Sequence, residues 1–237
     1  EKTIERYGAR PVQVLEQTGL LATPRTLLAH CVWLDDIEIQ LLADHGVGVA
    51  HNPVSNMKLA SGAARIDAML AKGIAVGLGT DGEKENNNLD MFEELKTASL
   101  LAKHSKADAA ALDAWSICRM ATIDGARALG MQETIGSLEV GKRADMIGLN
   151  IDTPRMTPLI ASGSYMNLQH NLVHAAQGGD VALTMVDGAV LVRNGELLSD
   201  NIQDTIREVN LAIGPLLARR DAWVARCGTA VNELEKS

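Results

Sequence analysis

Aromatic side chains are nearly absent: the 237 residues include one Phe, two Tyr and three Trp. The core must therefore be built from Leu, Ile, Val, Ala and Met. Long hydrophobic runs are missing as well. Nothing approaches the roughly 18 consecutive apolar residues that a membrane-spanning helix needs. Positive charge is in deficit, with 22 basic against 30 acidic residues and a net charge of −8. That argues against nucleic acid or an anionic membrane as a partner. Cysteine is scarce, and Cys31, Cys118 and Cys227 lie far apart. They suit free thiols in a reducing, cytoplasmic setting better than a disulfide framework or a Cys-type zinc site. No Gly-x-Gly-x-x-Gly opens a helix, so dinucleotide binding has little support. No basic, apolar leader is visible, and the chain opens on Glu1 inside a helix-like stretch.

What is present is a repeating unit. Residues 2–18 are helix-like, broken by Gly8 and Pro11. Residues 26–34 (TLLAHCVWL) form a short apolar run of the buried-strand kind. Asp35 and Asp36 can cap a helix over 36–44, which Gly46 stops. A second strand over 47–50 ends in His51-Asn52-Pro53, and a helix over 63–72 stops at Gly73. A third strand over 74–78 runs into Gly79-Thr80-Asp81-Gly82. Strand–helix units joined by short turns imply parallel strands with right-handed crossovers. A (β/α)8 barrel and an open doubly wound sheet, such as a flavodoxin-like binding domain, both repeat this way. Helices are expected over 88–103, 108–121 and 122–130, then a small antiparallel β unit over 136–200. Within it, Val186-Asp187-Gly188-Ala189 signals a tight hairpin, and 152–178 reads as loop with one short helix. Residues 202–226 read as a helix with apolar and charged faces.

His30, His51 and Asp81 each follow a short apolar strand. Parallel α/β folds bind ligands at the carboxyl ends of their strands, so the three would converge on one pocket. Imidazole and carboxylate suit a borderline divalent cation, and they can also steer water and accept its proton. Taken singly, each has a bland reading. His30 could be a hydrogen-bonded packing residue, His51 could fix a turn, and Asp81 could cap one. Their agreement in position favours the site.

Six stretches carry a resemblance. AHCVWL (29–34), HNPVSNMKLASG (51–62) and VGLGTDG (76–82) occur in that order. NNNLDMFEELKTASLLAK (86–103), ATIDGARALG (121–130) and GSLEVGKRADMIGLN (136–150) follow. Together they resemble the amidohydrolase superfamily, in particular its branch of 5-methylthioadenosine/S-adenosylhomocysteine deaminases and triazine hydrolases. The resemblance implies an α/β fold: the C-terminal part of a (β/α)8 TIM-type barrel with the C-terminal portion of a β-sandwich. Residues 1–135 would hold barrel strands six to eight and the helices after them, 136–200 the sandwich portion, and 201–237 a helical tail. Asp81 would be a metal ligand that also handles the proton of the attacking water. His30 would orient that water, and His51, Ser55 and Asn56 would line the substrate pocket. The cofactor would be a divalent metal, with zinc first.

The implied reaction is hydrolytic deamination of a purine-type ring, releasing ammonia from a small-molecule substrate. Hydrolysis of a triazine or another N-heterocycle is the alternative. A homo-oligomer is expected. The strand-one His-x-His and the strand-five His-x-x-Glu of the family are not in this sequence. The resemblance therefore implies that the chain needs an N-terminal half, its start falling just past strand five. Without that half it would be an inert half-barrel or one piece of a split enzyme. Glu83-Lys84-Glu85 also stands where the deaminases carry small residues, at the rim of the expected pocket.

Overall fold

Proline, glycine and acidic caps cut the first half of the chain into short segments. In the structure, a computed structural model, residues 2–227 are described. Helices α1 (Lys2–Tyr7) and α2 (Pro11–Gln17) are separated at Gly8, whose φ is +68°. Strand β1 (Leu27–Ala29) is shorter than the apolar run around it. His30 and Cys31 take left-handed φ values of 68° and 47°, which breaks the extended backbone there. Asp35 caps α3 (Asp36–Asp44) by accepting from the Glu38 backbone N–H at 2.9 Å. Strand β2 (Gly48–His51) leads directly into α4 (Pro53–Lys58), followed by α5 (Ile66–Ala71) and β3 (Val76–Leu78). α6 (Glu83–Asn86), α7 (Met91–Lys106), α8 (Ala114–Met120) and α9 (Ile123–Ala128) complete the first part.

β1, β2 and β3 form a parallel sheet in that order, with Ala29 opposite Ala50 and Ala50 opposite Gly77. Val49 and Val76 sit opposite each other and are fully buried. They pack with Ile39 and Leu42 of α3, Ile66 and Met69 of α5, and Leu95 and Ala98 of α7. The other face is less covered. Leu27 is 43% exposed, and a cavity of about 500 Å³ lies between Leu27, Ala50, Gly77, Met120, Gly125 and Met146. The outer edges of β1 and β3 have no strand partner among the described residues.

α9 closes part of that face by backbone contact. A Cβ on Gly48 would lie 2.2 Å from the Ala128 carbonyl oxygen, and one on Gly77 would lie 2.8 Å from Gly125 Cα. Glycine is thus the residue that lets a helix backbone lie on the strands.

β4 (Met146–Leu149), β5 (Val181–Val186), β6 (Ala189–Arg193) and β7 (Glu196–Leu197) form an antiparallel sheet in chain order. Asp187-Gly188, with φ of 49° and 80°, turns β5 into β6 as its sequence implies. Asn194-Gly195 does the same between β6 and β7, with φ of 52° and 79°. The one short helix expected over 152–178 is α10 (Leu168–His174), whose Val173 is fully buried in the core with α7 and α8 residues. Asp90, which caps α7, also accepts from the Gly178 backbone N–H at 2.9 Å. The last helix, α11 (Ile202–Cys227), has no buried residue. Among the described residues no helix is long and apolar enough to cross a membrane.

The Gly48–Ala128 contact gives a direct test. Gly48→Ala should lower unfolding stability by about 3 kcal/mol, because backbone atoms must move to admit the methyl group. Gly46→Ala, at φ +62° with open space around it, should cost only about 1 kcal/mol of left-handed strain. Equal shifts in the urea midpoints of the two variants would contradict the close packing.

Candidate active site

The central strand of the parallel sheet organises the site. β2 lies between β1 and β3, and its C-terminal end feeds α4 after a single residue, Asn52. Pro53 occupies the first helical position, where its fixed φ and missing N–H suit a helix start. That places Ser55 and Asn56, both buried, within one turn of the sheet edge. Ser55 Oγ donates to Asp81 Oδ2 at 2.6 Å, beyond the end of β3. Asn56 Oδ1 accepts from His30 Nδ1 at 2.9 Å, beyond the end of β1. Two consecutive residues after the middle strand thus hold the residues that follow both neighbouring strands.

His30 and Asp81 are also set by their backbones. The Cys31 N–H donates to the Ala29 carbonyl at 2.8 Å, closing a tight turn around His30. The His30 N–H donates to the Ala50 carbonyl at 2.9 Å. Asp81 has φ 63°, and its Oδ1 accepts from the Gly82 N–H at 2.8 Å. Non-glycine residues with such φ values carry strain that the surrounding bonds must sustain. His30 Nε2 and Asp81 Oδ2 face each other at 3.7 Å. This is too long for a direct hydrogen bond and close enough for a shared water or substrate atom.

The electrostatics follow from these contacts. Asp81 is held below the usual carboxylate range, first by the Ser55 hydroxyl, then by the Gly82 N–H, with the His30 imidazole adding a smaller pull. It is therefore an ionised base at neutral pH. With Nδ1 bonded to Asn56, the other ring nitrogen of His30, Nε2, is the one that faces Asp81. His51 behaves differently. It is 2% exposed, its Nδ1 has no hydrogen-bond partner among the described residues, and it lines a cleft with Ile66 of α5 and Ala98 of α7. Burial, and secondarily His30, push its pKa down to about 4, so it is neutral.

A sequence reading misses Glu94. It is fully buried on α7, accepts from the Val54 N–H at 3.2 Å and from Asn86 Nδ2 at 2.6 Å. Its signal was an acid among the buried positions 94, 95, 98 and 99 of an otherwise polar-faced helix. Burial raises its pKa to about 7. The loop bearing Glu83-Lys84-Glu85 folds into α6 and is tied to α4, because Lys58 Nζ donates to the Lys84 carbonyl at 2.6 Å and to Asn87 Oδ1.

Residues 1–191 match the profile described as the amidohydrolase family. The chain belongs to the amidohydrolase family. This amidohydrolase chain is 47% identical to a 5′-deoxyadenosine deaminase of Methanosarcina acetivorans over 92% of its own length and 48% of the relative's. It is 45% identical to a 5-methylthioadenosine/S-adenosylhomocysteine deaminase of Desulforudis audaxviator, covering 88% of itself and 47% of that protein. Among solved structures it resembles an adenosine deaminase from Xanthomonas campestris with bound zinc, with TM-score 0.85 and 35% identity over 92% of this chain and 48% of that one. It also resembles atrazine chlorohydrolase from Arthrobacter aurescens complexed with zinc, with TM-score 0.76 and 29% identity over 88% of this chain and 45% of that one. The chain spans about half the length of the curated relatives it matches.

The donors present fit one share of a zinc shell, not a complete one. Among the described residues no group of three or more His, Cys, Asp or Glu side chains comes together for a metal. A zinc site takes three or four protein ligands, and here one imidazole faces one carboxylate.

His51 and Glu94 titrate with opposite consequences for stability. His51 folds with a pKa of about 4 against an ordinary 6.5, so its stability contribution is lost as pH falls below 6.5. Glu94 folds with a pKa of about 7 against an ordinary 4.5, so its contribution is lost as pH rises above 4.5. Between 4.5 and 6.5 the two slopes oppose each other. Relative to the unmodified protein, His51→Gln should make unfolding stability fall more steeply with rising pH in that window. Glu94→Gln should make it rise, each by at most about 1.4 kcal/mol per pH unit. Urea unfolding at several pH values checks both signs.

Proposed function

We propose that this chain is the C-terminal half of a metal-dependent aminohydrolase that removes the exocyclic amine of a purine-type ring, with 5′-deoxyadenosine, 5-methylthioadenosine or S-adenosylhomocysteine as substrate class. One observation carries the reading. His30 and Asp81, beyond the ends of two parallel strands, are fixed opposite each other by Ser55 and Asn56, in a chain 47% identical to a 5′-deoxyadenosine deaminase.

In this reading, water oxygen adds to the amine-bearing ring carbon, the carbon–nitrogen bond breaks, and ammonia leaves. Asp81, ionised and oriented by Ser55, accepts the proton of the attacking water. His30, its Nδ1 held by Asn56, keeps Nε2 aimed at the same region, where it steers the water and, once protonated, balances developing negative charge. The divalent metal, with zinc first, supplies the Lewis acid that makes water a nucleophile near neutral pH. Asp81 is this chain's proposed ligand to it. The remaining ligands and the acid that protonates the leaving amine belong to the half outside this chain. His51, Ser55 and Asn56 are the proposed lining of the substrate pocket; His51 is buried and borders the cleft beside Ile66 and Ala98.

The same reading assigns the parallel strands to a (β/α)8 barrel and the antiparallel sheet to a β-sandwich. The boundaries are 1–135, 136–200 and a helical tail over 201–237. The half-covered sheet supports it, since parallel sheets are ordinarily covered on both faces. Leu27 and the cavity beside it would then face the missing strands. A small-molecule substrate, the N-terminal half and a second copy are the proposed partners.

The test uses the full-length protein that carries this chain. It should release ammonia from the adenosine-type substrates. Asp81→Asn should reduce the rate by about 10²–10⁴-fold, the range for losing a general base. Full activity in Asp81→Asn would refute the assignment. Chloride release from a chlorotriazine without ammonia release from the nucleosides would move the substrate to the triazine class. Absence of any hydrolysis would leave an inert remnant.

A further inference from the structure

Glu94 is buried, charged for part of the physiological pH range and unused by the reaction above. We propose that Glu94 is a positioning residue that locks the start of α4 to the loop after Asp81 and thereby sets the spacing between Asp81 and His30. This rests on the deaminase reading, and its geometry is independent of the substrate.

The argument starts at α4. Its N-cap residue, Asn52, makes no side-chain cap, so the early N–H groups of this six-residue helix lack a local partner. Glu94 Oε2 supplies one to Val54, from the neighbouring helix α7. The next two residues are Ser55 and Asn56, which hold Asp81 and His30. A shift of the first turn of α4 therefore moves both contacts at once.

The other oxygen works on the loop. Glu94 Oε1 accepts from Asn86 Nδ2. That fixes the Asn86 amide so that its Oδ1 accepts from the Leu89 N–H at 2.7 Å and the Asn88 N–H at 3.3 Å. Asn87 and Leu89 have φ of 81° and 55°, so this loop is held in a conformation that it would not keep unaided. The loop starts at Gly82, whose N–H holds Asp81 Oδ1. Both anchors of Asp81, Ser55 and Gly82, thus lie on segments joined through Glu94.

The two oxygens of Glu94 both accept, and a glutamine has one acceptor. Its amide must face either the Val54 N–H, which then loses its acceptor, or Asn86, whose flip would release Leu89 and Asn88. Glu94→Gln keeps the shape and breaks one arm or the other, whereas Glu94→Asp keeps both acceptors on a shorter stem.

The experiment uses the full-length protein with 5-methylthioadenosine as substrate, together with ¹⁵N-histidine spectra of the His30 ring. Glu94→Gln should lower kcat by about 10²-fold, the scale of a misplacement of order 1 Å, with KM nearly unchanged. Glu94→Asp should fall between it and the unmodified protein. The ring signals of His30 in folded Glu94→Gln should shift as its bond to Asn56 weakens. Unmodified kcat in Glu94→Gln, or an activity loss matched by loss of folded protein with His30 signals unchanged, would overturn the proposal. Should the unmodified protein release no ammonia, the deaminase reading falls, and the His30 signals alone decide the positioning role.

Discussion

The turn that leaves the central strand is the constraint on which the site depends. In a three-stranded parallel sheet the middle strand is the one whose following segment borders both neighbours. β2 gives way to α4 after one residue, and successive helical residues diverge by about 100°. Ser55 and Asn56 can therefore reach opposite ways, one to Asp81 and one to His30. Had the register of α4 slipped by one residue, a hydrophobic Val54 or Met57 would stand in one of those places. The left-handed backbones of His30 and Asp81 are strained positions. They persist because each residue is bonded from α4 as well as through its own loop.

The same physical device recurs at two short helices. α2 and α4 both begin with Pro-Val, at residues 11–12 and 53–54. Proline removes one of the orphaned donors of a helix start, and the next N–H still needs an acceptor. In each case a fully buried glutamate from a longer helix provides it. Glu38 accepts from Val12 at 3.2 Å and Glu94 accepts from Val54 at 3.2 Å. Glu38 is paired with Arg10 at 2.6 Å, so its charge is neutralised in place. Glu94 has an amide and a backbone N–H but, among the described residues, no cation, and burial lifts its pKa to about 7. The two sites differ in cost: the first is a compensated ion pair, while the second holds a carboxylate against its desolvation. A costly buried charge next to the proposed catalytic pair needs a reason, and joining two segments that hold Asp81 supplies one.

The strand-end residues were legible in the sequence because parallel α/β chains put chemistry where an apolar run stops. His30, His51 and Asp81 all follow such runs, and the hairpin at Asp187-Gly188 was equally direct. α4 was not legible. Asn52-Pro53 reads as a turn, and the proline that signals a turn also starts a helix, so the segment bearing Ser55 and Asn56 had no helical period long enough to register. The strand β1 was overestimated because the apolar run over 26–34 continues through His30 and Cys31, where the backbone turns. Glu94 escaped for a different reason. A pattern reading assigns charged residues to the solvated face, and the partners that make burial tolerable, Val54 and Asn86, lie 40 and 8 positions away. Side-chain burial of that kind is decided by tertiary packing, not by local period.

The proposed division of labour between halves rests on the two faces of the parallel sheet. One face is closed by α3, α5 and α7 around Val49 and Val76, and it supplies the stability of the unit. The opposite face is met by α9 through glycine contacts at Gly48 and Gly77, and elsewhere carries the cavity beside Leu27. The hydrogen bonds that orient His30 and Asp81 run to the strand ends, α4 and the loop after β3. In the proposed reading Asp81 is one ligand of a tetrahedral zinc shell, and the other donors would come from the proposed N-terminal half. A partner half that covers the exposed face would bring the missing donors to a pair already aligned. Association would then need to order only its own contribution, which is the situation in which preorganisation lowers the cost of assembling a site.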